Sequence, residues 1–333
     1  MIDFAKARVL VTGGAGFIGS ALVWELNRRG CERIVIADFL ESGEKWRNLV
    51  PLAFEDYIEA DDLLARLESK SLGRFDAVLH MGACSSTTER NAAYLARNNY
   101  QFTKELAACA LSSNSRFVYA SSAATYGDGA AGMSDDGSLP YLHKLRPLNM
   151  YGYSKQMFDL YAAQRGILDK IVGVKFFNIF GPNEGHKGDM RSLVNKAYDQ
   201  IEETGEIRLF KSYRPDYADG EQKRDFLYVK DAVAMTLHLA ASDNTNGLFN
   251  VGSGEANSWL DLANAVFLAL GKSPNIRFID MPEELRSKYQ YFTQADIGRL
   301  RGSGYTVPLT PLADAVADYV RNYLVPDRRL GDV

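Results

Sequence analysis

Tyr151-Gly152-Tyr153-Ser154-Lys155 is the stretch of this 333-residue chain whose residue types and spacing most directly suggest chemistry. The periodic run Met157, Phe158, Leu160, Tyr161 that follows predicts a helix. Residues four apart on a helix share a face, so the Tyr151 phenol and the Lys155 ammonium point the same way. A nearby cation lowers a phenol's pKa from its ordinary ~10, and Tyr151 could then accept a proton from an alcohol whose carbon is being oxidised. Patterns this short recur by chance in ordinary amphipathic helices, so the pair needs company elsewhere in the chain.

That company begins near the amino end. Arg8-Val9-Leu10-Val11-Thr12 reads as a short buried strand and runs into Gly13-Gly14-Ala15-Gly16-Phe17-Ile18-Gly19, followed by a helix carrying Leu22 and Leu26. Gly13, Gly16 and Gly19 permit a tight turn, close approach of backbone to a pyrophosphate, and close packing of helix on strand, with phosphate at the helix amino terminus. A second strand, Ile34-Val35-Ile36-Ala37, ends in Asp38, nineteen residues past Gly19, where an acid can meet a ribose. This context predicts dinucleotide binding. Asp38 alone favours NAD because it repels a 2′-phosphate, while Lys45 in the turn Gly43-Glu44-Lys45 could neutralise that phosphate.

The elements that must position these residues alternate. A helix is predicted around Leu63–Leu67, a strand at 77–80, a long helix from Asn91 to Leu111, and a strand at 117–120. The fold class is therefore α/β, a Rossmann doubly wound parallel sheet, with a smaller α/β carboxyl-terminal substrate domain. Ligands of such sheets lie beyond the carboxyl ends of the strands. Gly82-Ala83-Cys84 and Ser121-Ser122 fall there, Cys84 as a small packing residue and Ser122 as a donor to the reacting oxygen. A strand over 171–177 ends in Asn178, and the loop 180–188 after it faces the substrate. Asp231 and Ser258 read as N-caps of helices reaching Leu239 and Leu270. Residues 211–220 form a surface loop before Lys223-Arg224, and Arg224 could hold a diphosphate through bidentate bonds. The dinucleotide domain is taken as 1–178 with return segments from about 225–255, and 179–333 as mainly the substrate domain.

Composition narrows the classes. With 46% hydrophobic and 24% charged residues the chain can bury a sizeable core. Its net charge of -4 and pI near 5.7 provide no basic field for nucleic acid or an anionic membrane, so neither is expected as a partner. Three cysteines and four scattered histidines lack metal or redox spacing. A strand-like run within the first residues leaves no signal peptide, and no stretch approaches the ~20 apolar residues of a membrane helix. The expectation is a cytoplasmic, metal-free protein.

With the glycine pattern of 13–19, the Ser-x-x-x-Tyr-Gly of Ser122–Gly127 and Tyr151-x-x-x-Lys155, nearly the whole chain resembles the extended short-chain dehydrogenase/reductase superfamily. That resemblance implies that Tyr151 is the acid/base, that Lys155 also holds the nicotinamide ribose, and that Ser122 orients substrate. Five further blocks narrow it: 82–89, 98–101, 121–127, 184–188 and 289–296. Together they resemble the ADP-heptose 6-epimerase family, which interconverts C6 epimers of an ADP-linked heptose for lipopolysaccharide core assembly, uses tightly bound NADP and is typically oligomeric. The likeness implies NADP, with NAD as the alternative. It also implies cofactor contacts from Phe17, Ile18, Asp38, Phe39, Lys45, Gly82, Ala83, Cys84, Ser85, Ser86, Asn99, Lys155, Ile179 and Lys187. Substrate contacts would come from Ser122, Asn178, Asp189, Lys196, Phe210, Arg224 and Tyr289, with Lys187 as a second acid/base facing Tyr151. Phe39, Ala60 and a longer 211–222 loop depart from the family pattern. A nucleotide-sugar dehydratase and a non-catalytic nucleotide sensor are the other classes considered. Dehydratases carry Asp-Glu where this chain has Ala123-Ala124, and a sensor has no need of an intact Ser122, Tyr151 and Lys155.

Overall fold

The computed structural model describes residues 1–286 and 289–333. Its strands are β1 Val9–Thr12, β2 Ile34–Asp38, β3 Asp56–Glu59, β4 Ala77–His80, β5 Arg116–Ser122, β6 Val172–Phe176, β7 Asn178–Phe180, β8 Ile207–Phe210, β9 Lys223–Arg224, β10 Phe226–Tyr228, β11 Gly247–Val251, β12 Asn257–Ser258 and β13 Ile276–Ile279. Seven form one parallel sheet in the order β11-β6-β5-β4-β1-β2-β3. The chain reverses direction across the sheet between β1 and β4, and a crevice opens there beyond the carboxyl ends of the strands. β1, β2, β4, β6 and β11 are buried along their whole length, as strands covered by helices on both faces must be. One apolar cluster packs Leu22, Leu26 and Val233 against one side, and a second packs Leu106, Phe117 and Phe158 against the other.

Several expectations need correction. The strand expected over 171–177 breaks after Phe176. The Phe177 amide bonds to Val251 O, and residues 178–180 leave the sheet to pair with β10. The helix expected from 91 to 111 is interrupted by a π-turn over Ala96–Gln101, between Ala92–Leu95 and Phe102–Ser112. Thr103 Oγ1 donates to the Asn99 carbonyl there. Asp231 is not an N-cap. Its helix starts at Val229, and the Asp231 carboxylate accepts from the Thr310 amide (2.9 Å) and hydroxyl (3.1 Å) instead. Ser258 does cap the Trp259–Ala269 helix, in a reciprocal box with Asp261. β3 was not anticipated, because at this sheet edge only Ile58 of its residues is buried. No helix among the described residues is long and apolar enough to cross a membrane.

Candidate active site

The crevice has a volume of about 720 Å³ and is lined by the glycine turn, Asp38, Lys45, residues 81–87, Ser122, Tyr151, Lys155, Asn178, Ile179 and Lys187. Gly13 turns with φ 68°, and a Cβ on Gly19 would collide with the Gly13 carbonyl oxygen. The Phe17–Arg28 helix then starts at the crevice with no acidic residue in its first turn, leaving amide donors free for an anion. Asp38 is 5% exposed, and its carboxylate accepts from the amides of Ala15 (2.8 Å) and Phe39 (2.7 Å). Lys45 Nζ donates to the same carboxylate at 2.5 Å and to Phe39 O at 3.1 Å. Phe39 itself is 36% exposed and does not line the crevice. The turn, the helix end and the length of the crevice fit a dinucleotide.

Ser122 ends β5, and its Oγ accepts from the Ala124 amide at 3.1 Å. Tyr151 and Lys155 lie on the Met150–Gln164 helix, which Asn149 caps by accepting from the Gly152 amide at 2.8 Å. All three line the crevice, so the serine, tyrosine and lysine expected from sequence are brought together. The electrostatics differ from expectation. Burial raises the Tyr151 pKa, with the Ser122 hydroxyl opposing and the Cys84 sulfur adding to the rise. Lys155 does not depress it. Its ammonium is 6% exposed and donates to Ala120 O at 2.8 Å, and burial lowers its pKa to about 8 against the charge of Asp159. A spacing of four puts the two side chains on one face, but the lysine is tied to β5 rather than to the phenol.

Asn99 lies behind the crevice wall rather than on it. It is 1% exposed, its Oδ1 accepts from the Cys84 amide (2.9 Å), and its Nδ2 donates to Cys84 O (2.9 Å) and Ser154 Oγ (3.0 Å). Ser154 in turn donates to Tyr151 O. The π-turn carries Asn99 into this bridge between the cofactor wall and the tyrosine helix, in line with the frequent use of such turns at functional sites. Beside it, His80 contacts Thr12 Oγ1 (2.6 Å) and Thr103 Oγ1 (2.8 Å), and burial lowers its pKa to about 3, keeping the ring neutral. Deeper still, Lys175 and Asp159 form a wholly buried pair at 2.6 Å, and Tyr119 and Ser121 donate to the same carboxylate. Sequence reading missed this pair, since Lys175 sits inside an apolar run and Asp159 sixteen residues earlier.

The crevice is also lined by Phe226, Trp259, Leu193, Arg191 and Ser192, none of them anticipated. Lys187 lines the crevice, but its ammonium lies 5.1 Å from the centroid of the Phe17 ring. Burial lowers its pKa, and the charge of Glu184 opposes that. Arg224 is 5% exposed, donates to the carbonyls of Lys223 and Gln290, and has the Tyr289 and Trp259 rings 5.2 and 5.7 Å away. Phe210 meets Tyr289 edge-on at 6.5 Å. Phe210, Arg224 and Tyr289 therefore gather in a cluster of their own outside the crevice lining. Asp189 is exposed, Lys196 Nζ donates to its backbone carbonyl at 2.5 Å, and neither residue lines the crevice.

Comparison with known proteins agrees with this geometry. The protein named ADP-L-glycero-D-manno-heptose-6-epimerase from Nitratidesulfovibrio vulgaris Hildenborough is 54% identical over 95% of this chain and 97% of its own length. Its namesake from Fusobacterium nucleatum is 46% identical over 96% of this chain and 98% of its own. Among solved structures, the Helicobacter pylori ADP-L-glycero-D-manno-heptose-6-epimerase superimposes with a TM-score of 0.79 at 27% identity, covering 96% of this chain and 97% of that one. A family model described as the NAD dependent epimerase/dehydratase family matches residues 9–252, which hold the glycine turn, Ser122, Tyr151 and Lys155. The crevice fits a nicotinamide dinucleotide, and the chain belongs to the NAD dependent epimerase/dehydratase family.

Proposed function

We propose that this protein inverts C6 of the heptose in ADP-D-glycero-D-manno-heptose, giving the L-glycero epimer, through oxidation and re-reduction at that carbon. The observation that carries the reading is the gathering of Ser122, Tyr151 and Lys155 in one dinucleotide crevice. Its likeness to epimerases of this name, which spans almost the whole chain, points to the substrate. A nicotinamide bound along the crevice supplies a hydride acceptor and donor. Tyr151 takes the C6 hydroxyl proton, and Ser122 holds the same oxygen. Oxidation makes C6 an exocyclic ketone, so rotation about the C5–C6 bond presents its other face and moves its oxygen to a second position. Lys187 gives a proton to that oxygen as C6 is reduced again, and exchange with solvent resets Tyr151 and Lys187 for the next turnover. The apolar walls Phe226, Leu193 and Trp259 keep water from the ketone. Arg224, outside the lining but beside Trp259, which does line the crevice, would reach past that ring to the diphosphate.

We favour NADP over NAD. Asp38 is already neutralised by Lys45 and engaged by two backbone amides, so a 2′-phosphate beside it meets a neutralised pair rather than a bare carboxylate. Mass spectrometry of the nucleotide released from freshly purified protein is expected to find NADP, and recovery of NAD alone would overturn this choice. In this reading residues 1–178, with returns from 225–255, hold the cofactor, and 179–333 mainly grip the sugar nucleotide. The protein works as a homo-oligomer in the cytoplasm, where its three unpaired cysteines suit a reducing compartment. Dehydration is disfavoured because the methyl groups of Ala123 and Ala124 cannot move protons. Proton NMR of ADP-heptose incubated with the protein tests the whole proposal: two C6 epimers support it, and an unchanged substrate or a deoxy-keto sugar opposes it.

A further inference from the structure

The Lys187 ammonium makes no ion pair or hydrogen bond among the described residues, so its place in the crevice depends on the loop that carries it. Asn183, four residues earlier, anchors that loop. It is 4% exposed and sits in the left-handed region at φ 76°, which asparagine tolerates better than most residues. Its Nδ2 donates to Ser20 Oγ at 2.9 Å, its Oδ1 accepts from the Leu330 amide at 3.0 Å, and its carbonyl accepts from Asn48 Nδ2 at 3.1 Å. Each partner belongs to a different part of the cofactor end. Ser20 lies in the first turn of the helix after the glycine turn. Asn48 closes the 44–48 turn that carries Lys45, and its amide also donates to Ala15 O at 3.0 Å. Leu330 is wholly buried, and Gly331 rests against Pro51. From Asn183 the loop is fixed onward, because the buried Glu184 carboxylate accepts from the Ser192 amide and hydroxyl, and the Lys187 amide bonds to Glu184 O.

We propose that Asn183, clasped by the 328–331 segment through Leu330, is a positioning residue that holds Lys187 at the reacting end of the crevice. The proposal rests on the reading of Lys187 as the second proton carrier. Asn183→Gly keeps the left-handed backbone available while deleting both side-chain bonds. It is expected to lower kcat about ten- to a hundredfold, with KM and retained nicotinamide unchanged within about twofold, since misplacement of a catalytic group acts on turnover. Ending the chain after Arg328 should also lower kcat, and combining the two changes should cost less than the sum of the two losses, because both cut the Leu330–Asn183 bond. Asn183→Asp, which keeps the acceptor for Leu330, should retain more turnover than the glycine variant. Normal kcat in Asn183→Gly, or in the shortened chain should the glycine variant fail to fold, overturns the proposal. So does a loss that falls on KM and nicotinamide retention. Lys187→Met separates the two levels. If it is fully active, the reading of Lys187 fails and the proposal with it. If it is inactive while Asn183→Gly is normal, only the proposal fails.

Discussion

Tyr151→Phe is expected to fold, to keep its dinucleotide, and to lose about a thousandfold in kcat, or ~4 kcal/mol of transition-state stabilisation. The substitution removes one oxygen and leaves the ring to pack as before. Nothing nearby can replace that oxygen. Lys155 is tied to Ala120 O, and Ser122 is an ordinary hydroxyl whose oxygen accepts from the Ala124 amide. The raised pKa of Tyr151 means that the phenol is protonated at neutral pH in the structure described, ready to donate to a carbonyl oxygen. The oxidation half of the cycle needs the phenolate, so its rate should climb as pH rises above neutrality in the parent and lose that climb in the variant. A variant that keeps more than about a tenth of parental turnover, a cost below ~1.4 kcal/mol, would remove Tyr151 from the proton path.

Asp159→Asn should destabilise the fold by about 3–5 kcal/mol, the usual cost of stranding one member of a buried ion pair. Lys175 and Asp159 are both fully shielded from solvent. The carboxylate also accepts from Tyr119 (2.8 Å) and Ser121 (2.8 Å), and Lys175 Nζ donates to Thr125 Oγ1 at 2.8 Å. An amide cannot accept from all three donors and leaves the ammonium without its counter-charge. The cost should therefore shrink when the charge on the other side is removed too. Urea unfolding of Asp159→Asn, Lys175→Met and the double variant checks this. The double variant is expected to recover more than half of the loss of the worse single variant, and simple additivity of the two losses would show that the charges are not coupled.

The cofactor half of the site was legible because its signals are local. The glycine turn from Gly13 to Gly19, the acid at Asp38 and the Tyr151–Lys155 spacing each depend on a few neighbouring residues, and each lies on the crevice as expected. What escaped depends on partners distant in sequence. β3 is an edge strand with a single buried side chain, so it has no apolar run to betray it. Asp231 looked like a cap because its neighbours are helical, yet Thr310, far along the chain, claims its carboxylate. The direction of the Tyr151 shift is not legible because burial, which no spacing reveals, sets it, while Lys155 is tied to Ala120 O. The Lys175–Asp159 pair and the Asn183 clasp join segments that only the folded sheet brings side by side. Phe210 and Tyr289 are implied by resemblance alone and Arg224 by a basic pair whose burial no spacing reveals, and the three cluster with one another rather than along the crevice.

Oxidation and return at one carbon can be read directly with ADP-D-glycero-D-manno-heptose carrying deuterium at C6, incubated in ordinary water with the purified protein and followed by proton NMR. The expected result is an equilibrium mixture of the two C6 epimers with deuterium still on C6, because the label leaves as hydride and returns to the opposite face without meeting solvent. Epimers that have exchanged the label for solvent hydrogen, or a substrate that never inverts, would contradict it.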